Sequence, residues 1–276
     1  MGKRIFSTLL LWAIVGAALW YLRTTGALIL ISVISVFTLR EFFKLLRAAG
    51  YAPFDRFGIV IGGIITLAPW IHARWGGPTD LLLPLAIIVL AIRLLGERTP
   101  ETRVESLATT AIGIVYVAVM LQYLVAIVTP LPGDTITPDG RLLLCLWLIA
   151  VTKFCDMGAL LTGLAIGRHK MSPQISPKKT WEGAVGGVAF SMGIGALIAH
   201  LAAGQFPPHM TPGVAALLAA PIAVVGIVAD LIESVIKRRA NMKDSGGSVP
   251  GIGGMFDLSD SIILVAPIGY FIFRLP

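Results

Sequence analysis

The chain has 276 residues, 56% of them hydrophobic and only 13% charged, with a mean hydropathy of +0.86. A soluble globular domain carries about 25% charged residues, so the composition excludes that class and specifies a polytopic membrane protein. The formal net charge of +7 is then a question of which loops face which side, not a nucleic-acid signal.

Nine apolar segments follow in order, at about 5–22, 27–39, 57–72, 81–96, 106–128, 141–166, 183–203, 213–233 and 259–275. The second, third and fourth fall short of the ~20 residues a straight span needs. The opening Met1-Gly-Lys-Arg4 and the apolar run after it have the outline of a signal peptide. No small-x-small cleavage site follows, so the run is expected to be an uncleaved first helix. The expected fold is all-α: a polytopic transmembrane bundle of about nine helices, forming one integral membrane domain over residues 1–276.

Charge supports the order of segments. With a cytoplasmic N-terminus and strict alternation, 17 of the 22 basic residues fall on the cytoplasmic side, among them Lys3, Arg40, Lys44, Arg56, Arg93, Arg103, Lys178, Lys179 and Lys237. Arg23, Arg74, Arg141 and Arg274 fall on the other side, and Lys153 falls within a span. This bias fits the positive-inside rule at every loop.

Residues 39–50 continue the second segment as an amphipathic helix. Arg40, Lys44 and Arg47 share one face, and Phe42, Leu45 and Leu46 share another, as expected at the cytoplasmic interface. Loops 129–140 (with Asp134) and 204–212 carry prolines but no Lys or Arg and read as short external turns. His200 and His209 border the second loop without acidic or Cys partners and read as surface histidines. Cys145 and Cys155, ten residues apart on one helix, stand ~15 Å from each other, too far to bridge.

Segment 141–166 places Lys153 and Asp156 three residues apart on one helix face. An ionisable pair inside a span is costly and commonly functional. The loop after it runs through Ser176-Pro177-Lys178-Lys179-Thr180-Trp181-Glu182-Gly183. Ser176 and Pro177 read as a helix cap and first turn, which would put Lys178 and Lys179 at a helix N-terminus suited to phosphate. Beyond it, Gly183, Gly187, Ser191, Gly195 and Ala199 recur every four residues and predict one close helix contact.

The most polar run lies near the end. Asp230 and Ser234 are four apart, and Asp257 and Asp260 three apart at the start of the last helix. Lys237, Arg238, Arg239, Lys243 and Asp244 stand between them, followed by glycines including Gly253 and Gly254. Carboxylate and hydroxyl oxygens suit Mg²⁺, basic side chains suit phosphate oxygens, and glycine permits close backbone approach. Asp230, Asp257, Ser234 and Asp260 are therefore the candidate metal ligands. Glu233 faces differently on the helix and could instead pair with Lys237, four residues on.

These residues also carry a resemblance. Ser234-x-x-Lys237-Arg238 with Lys243-Asp244, then Pro250-Gly-Ile-Gly-Gly-Met-Phe-Asp257-Leu-Ser-Asp260, resembles the signature of the phosphatidate cytidylyltransferase (CDP-diacylglycerol synthase) family. Ser176 to Gly183 is similar to that family's second motif, Asp156-Met-Gly-Ala159 to its Asp-x-Gly-Ala motif, and Leu39-Arg-Glu-Phe42 more weakly to its N-terminal part. The pattern has His where this chain has Ile252 and Arg where it has Leu258.

The resemblance implies a magnesium-dependent membrane nucleotidyltransferase that joins CTP to phosphatidic acid, giving CDP-diacylglycerol and pyrophosphate. It implies N-terminal helices in 1–140, catalytic helices and loops in 141–276, and a site at the cytoplasmic face of the bacterial inner membrane. Asp230, Lys237, Arg238, Lys243, Asp244, Asp257 and Asp260 would be catalytic. Asp156, Ser176, Lys178, Lys179, Thr180, Glu182, Ser234, Gly253 and Gly254 would bind substrate. The bilayer is the expected surrounding and no nucleic acid is expected; a homodimer and a second, monovalent or divalent, cation stay open. So do two other classes: a CTP-dependent lipid-alcohol kinase, and a non-enzymatic lipid-binding protein or transporter.

Overall fold

The structure is a computed structural model that describes residues 2–96, 102–130, 136–248 and 253–274. Its helices are α1 Gly2–Ala48, α2 Asp55–Thr66, α3 Ala68–Trp75, α4 Leu82–Leu95, α5 Arg103–Gly113, α6 Met120–Val128, α7 Pro138–Ile166, α8 Trp181–Leu201, α9 Pro212–Arg239 and α10 Met255–Ile272. A π-helical stretch, Ile114–Val119, joins α5 to α6. The strands β1 Lys170–Ser172 and β2 Ser176–Thr180 pair antiparallel between α7 and α8. Among the described residues, six helices are long and apolar enough to span a membrane, or seven if the α2–α3 pair, bent by 49°, makes one span. An all-α polytopic membrane fold is thus in place.

The difference from nine segments has a local origin. The 14 residues of α4 reach ~21 Å at 1.5 Å per residue, short of a ~30 Å hydrocarbon core. The stretch Val15–Ala48 counts as one helix, yet Arg23 breaks it with φ 46° and ψ −123°. Gly26 then packs against the Ala18 carbonyl. Eight residues of straight helix would separate these by ~12 Å, so the chain turns sharply at Arg23, between the first two apolar segments.

The chain divides into two units, Met1–Thr129 with Ile236–Ser259, and Pro130–Val235 with Asp260–Pro276. The first is built around the inner face of α1. Leu39, Phe42, Phe43 and Leu45 are buried there, while Arg40, Lys44 and Arg47 are exposed, as the amphipathic pattern predicts. Phe42 stacks on Tyr116 and meets Phe256 edge to face, both at 5.6 Å. Thr38 and Ser259 share a buried hydrogen bond of 2.9 Å. Aromatic and hydroxyl contacts thereby fix the first turn of α10 to α1.

The second unit is organised by α7 against α8. Gly183, Gly187, Ser191, Gly195 and Ala199 are all buried, the face the four-residue recurrence selects. Ser191 Oγ donates to the Val151 carbonyl at 2.8 Å, and Trp147 Nε1 donates to the Gly195 carbonyl at 3.0 Å. Small residues let the backbones approach until side chains of one helix bond the backbone of the other.

Candidate active site

In the second unit, the polar groups of α7, β2, α9 and α10 meet. Lys153 on α7 lies 3.8 Å from Asp156, 3.4 Å from Asp260 Oδ1, and donates to Ser261 Oγ at 2.9 Å. The predicted pairing of Lys153 with Asp156 is present, and α10 adds two further partners. Lys179 Nζ reaches Asp230 Oδ2 on α9 at 2.5 Å. Asp230, Glu233 and Asp260 each bring a carboxylate oxygen within 4.8 Å of the others. Glu233 and Asp260 are buried there. Glu233 thus brings a carboxylate oxygen to the acidic group beside Asp230 and Asp260. Ser234 is half-buried one residue further on.

The approach to α8 differs from expectation. Ser176 to Thr180 is a strand, not a helix start: Ser172 pairs with Ser176 and Lys170 with Thr180, with a bulge between. The cap is Thr180, whose side chain accepts the Gly183 N–H at 3.1 Å. Lys178 and Lys179 thus stand on an extended strand before the helix, and alternation separates them: Lys178 is exposed, while Lys179 turns inward to Asp230. Glu182 ties the preceding loop down, accepting N–H groups of Arg168 at 3.1 Å and His169 at 3.2 Å, with His169 Nδ1 at 2.5 Å.

A cavity of about 510 Å³ opens beside these groups. Asp156, Lys170, Lys178, Lys179 and Asp230 line its polar part, and Leu160, Leu164 and Ile227 its apolar part.

The first unit holds the glycine-rich loop. Asp257 accepts the Ser245 N–H at 3.0 Å, the Gly254 N–H at 3.1 Å and the Lys237 ammonium at 3.0 Å. Gly254 N–H is thus directed at Asp257. Gly253 has φ +137°, a conformation that favours glycine. Arg238, Lys243 and Asp244 are exposed, and Leu258 is half-buried. Ile252 lies outside the described residues. Sequence reasoning passed over Glu41, which accepts hydrogen bonds from Ser245 Oγ, Ser248 Oγ and the Phe256 N–H. Its signal was a carboxylate set beside the apolar face of an amphipathic helix.

Six membrane-length helices among the described residues mark an integral membrane protein, and carboxylates clustered with lysines beside a cavity part polar and part apolar make its candidate site. The chain belongs to the cytidylyltransferase family, whose sequence model matches residues 2–275. It is 31% identical over 271 residues to a phosphatidate cytidylyltransferase of Synechocystis, covering 91% of this chain and 88% of that one. Phosphatidate cytidylyltransferases of Rickettsia bellii and Thermotoga maritima are each 30% identical, covering 77% and 72% of this chain and 88% and 70% of theirs.

Proposed function

We propose that this chain is a phosphatidate cytidylyltransferase, making CDP-diacylglycerol and pyrophosphate from CTP and phosphatidic acid. The observation that carries the reading is the family match over 2–275, together with the similarity to phosphatidate cytidylyltransferases over most of both chains. A phosphate oxygen of the lipid attacks the α-phosphorus of CTP. The bond from that phosphorus to the β-bridging oxygen breaks, and pyrophosphate leaves. The nucleophile is already anionic, so no strong base is required, and a His at position 252 is not needed for proton removal. The protein's part is positioning and charge neutralisation.

The donor set fits Mg²⁺: Asp230, Glu233 and Asp260 present oxygen only, close enough to share one ion. These residues would hold it, and the bound ion would supply charge neutralisation at the CTP phosphates. Lys178, Lys179, Lys237, Arg238 and Lys243 are suited to phosphate oxygens. In the cavity, Lys170 and Lys178 suit a lipid phosphate, and the strongly exposed Leu160 and Leu164 suit the glyceride beside it. We place this chemistry at the cytoplasmic face of a bacterial inner membrane, with a cytoplasmic N-terminus and about nine passes, on the distribution of basic residues.

The test uses purified protein, Mg²⁺, phosphatidic acid or a lipid alcohol, and CTP labelled at the α or the γ phosphorus. The expected outcome is α label in the lipid and γ label in pyrophosphate. Lipid labelled only from γ-labelled CTP would identify a kinase. No label in lipid from wild type or from Ile252→His with Leu258→Arg would favour a non-enzymatic protein.

A further inference from the structure

The signature loop in the first unit is seated on a residue some 200 positions earlier in the chain. Glu41 is 3% exposed. A buried carboxylate is costly unless donors surround it, and the donors here all come from one short stretch. Ser245 Oγ and the Phe256 N–H both donate to Oε2 at 2.9 Å, and Ser248 Oγ donates to Oε1. Ser245 links onward: its hydroxyl accepts the Asp257 N–H at 3.3 Å, and its own N–H donates to the Asp257 carboxylate at 3.0 Å.

The glycines of the loop make room for this carboxylate. A Cβ on Gly246 would stand 2.5 Å from Glu41 Oε1, and one on Gly254 would stand 2.5 Å from Oε2. Glu41 thus fills the space beside both glycines, and at Gly254 the Ser245 Oγ and, at 2.8 Å, the Gly246 backbone N crowd the same place.

We propose that Glu41 is a positioning residue for the reaction: through Ser245 it sets the place of Asp257, and with it the Lys237 ammonium that Asp257 holds. It touches no substrate and acts only through the loop. The inference rests on the reading of this loop as part of the cytidylyltransferase machinery, and its test includes a measurement that needs no turnover.

Three variants of the full chain in detergent micelles separate the outcomes. Glu41→Ala removes every acceptor. Glu41→Gln keeps an amide oxygen in the place of Oε2 for Ser245 and Phe256, and its NH₂ can donate to the Ser248 hydroxyl, which rotates to accept. Leu39→Ala, on the same helix, fully buried and packed at Gly62 of α2, damages packing and removes none of the hydrogen bonds to the loop. Amide hydrogen exchange over 245–257, thermal midpoint, and kcat and KM for CTP are measured for each.

Glu41→Ala is expected to speed exchange over 245–257 at least tenfold, leave α7–α8 exchange unchanged, and lower kcat/KM at least tenfold. Glu41→Gln should restore the slow exchange and most of the rate. Leu39→Ala should lower the thermal midpoint at least as much without moving loop exchange. Loop exchange in Glu41→Ala no faster than in Leu39→Ala would overturn the proposal. So would fast loop exchange at unchanged kcat/KM, which would make Glu41 an anchor with no part in the reaction. A wild type that turns over neither labelled CTP would refute the function instead, and the exchange comparison would still decide whether Glu41 sets the loop.

Discussion

Three carboxylates whose oxygens lie within 4.8 Å of one another repel when all are ionised, and burial strengthens the repulsion. If the cluster holds Mg²⁺, as proposed, it does so at the expense of the empty protein's stability. Glu233→Gln keeps the shape and removes one charge. Its thermal midpoint without Mg²⁺ is therefore expected to match or exceed that of wild type. Turnover should fall by about 100-fold or more, as for loss of one group that stabilises charge in a transition state. Mg²⁺ is expected to raise the wild-type midpoint by binding the folded state, and that of the variant less. A lower midpoint at an unchanged rate would assign Glu233 to packing. The site was partly legible at this scale. Lys153, Asp156, Asp230 and Asp260 stand out in sequence because charge in a span is rare. The place of Glu233 depends on which face of α9 is covered, and the single-helix pattern does not contain that.

A helix contact made of small residues converts one methyl group into a measurable loss. A Cβ on Gly187 would lie 2.7 Å from the Cys155 carbonyl oxygen and 2.9 Å from Ala159 Cβ. The first obstacle is backbone, which a rotamer change does not relieve. Gly187→Ala is expected to destabilise by about 1–3 kcal/mol, the usual range for overpacking. Gly193 lies on the same helix with nothing within 4 Å of its Cβ position. Gly193→Ala should be neutral or stabilising by up to about 1 kcal/mol, because alanine loses less backbone entropy in a helix. Thermal unfolding of the two variants in one detergent tests the contrast; equal losses would mean that α8 does not pack on α7 through this face. The stripe is legible because a four-residue recurrence of small residues has few other causes. The strand at Ser176–Thr180 is not. Ser-Pro is a sound local signal for a helix start, but pairing with Lys170–Ser172 overrides it, and the cap passes to Thr180, four residues on.

For the molecule as a whole, helix count and sidedness are separate questions. Length and composition give six spans or seven among the described residues, whereas basic residues give an orientation for nine segments. The two differ where the helix breaks at Arg23, where α2 bends into α3, and at the short α4. None of these breaks has a strong sequence signal: Arg23 is not a glycine, and α2 passes into α3 across Leu67, with proline only at the second position of α3. All three precede α5, so they bear on the signature-bearing half only through parity: its orientation holds where the passes before α5 are even in number. Positive-inside placement is then expected to put the 170–182 hairpin and the loop between α9 and α10 in the cytoplasm and the 204–212 loop outside. Single cysteines test this in a background with Cys145 and Cys155, both buried and unbridged, replaced by alanine. Gln174 and Gln205 are exposed, and Gly247 is exposed with open space where a Cβ would stand. In intact cells an impermeant thiol reagent should label Gln205→Cys and spare Gln174→Cys and Gly247→Cys, which should react once the membrane is opened. Labelling of Gln174→Cys or Gly247→Cys in intact cells would turn the molecule over, placing the site away from cytoplasmic CTP and removing the topological support for a cytidylyltransferase.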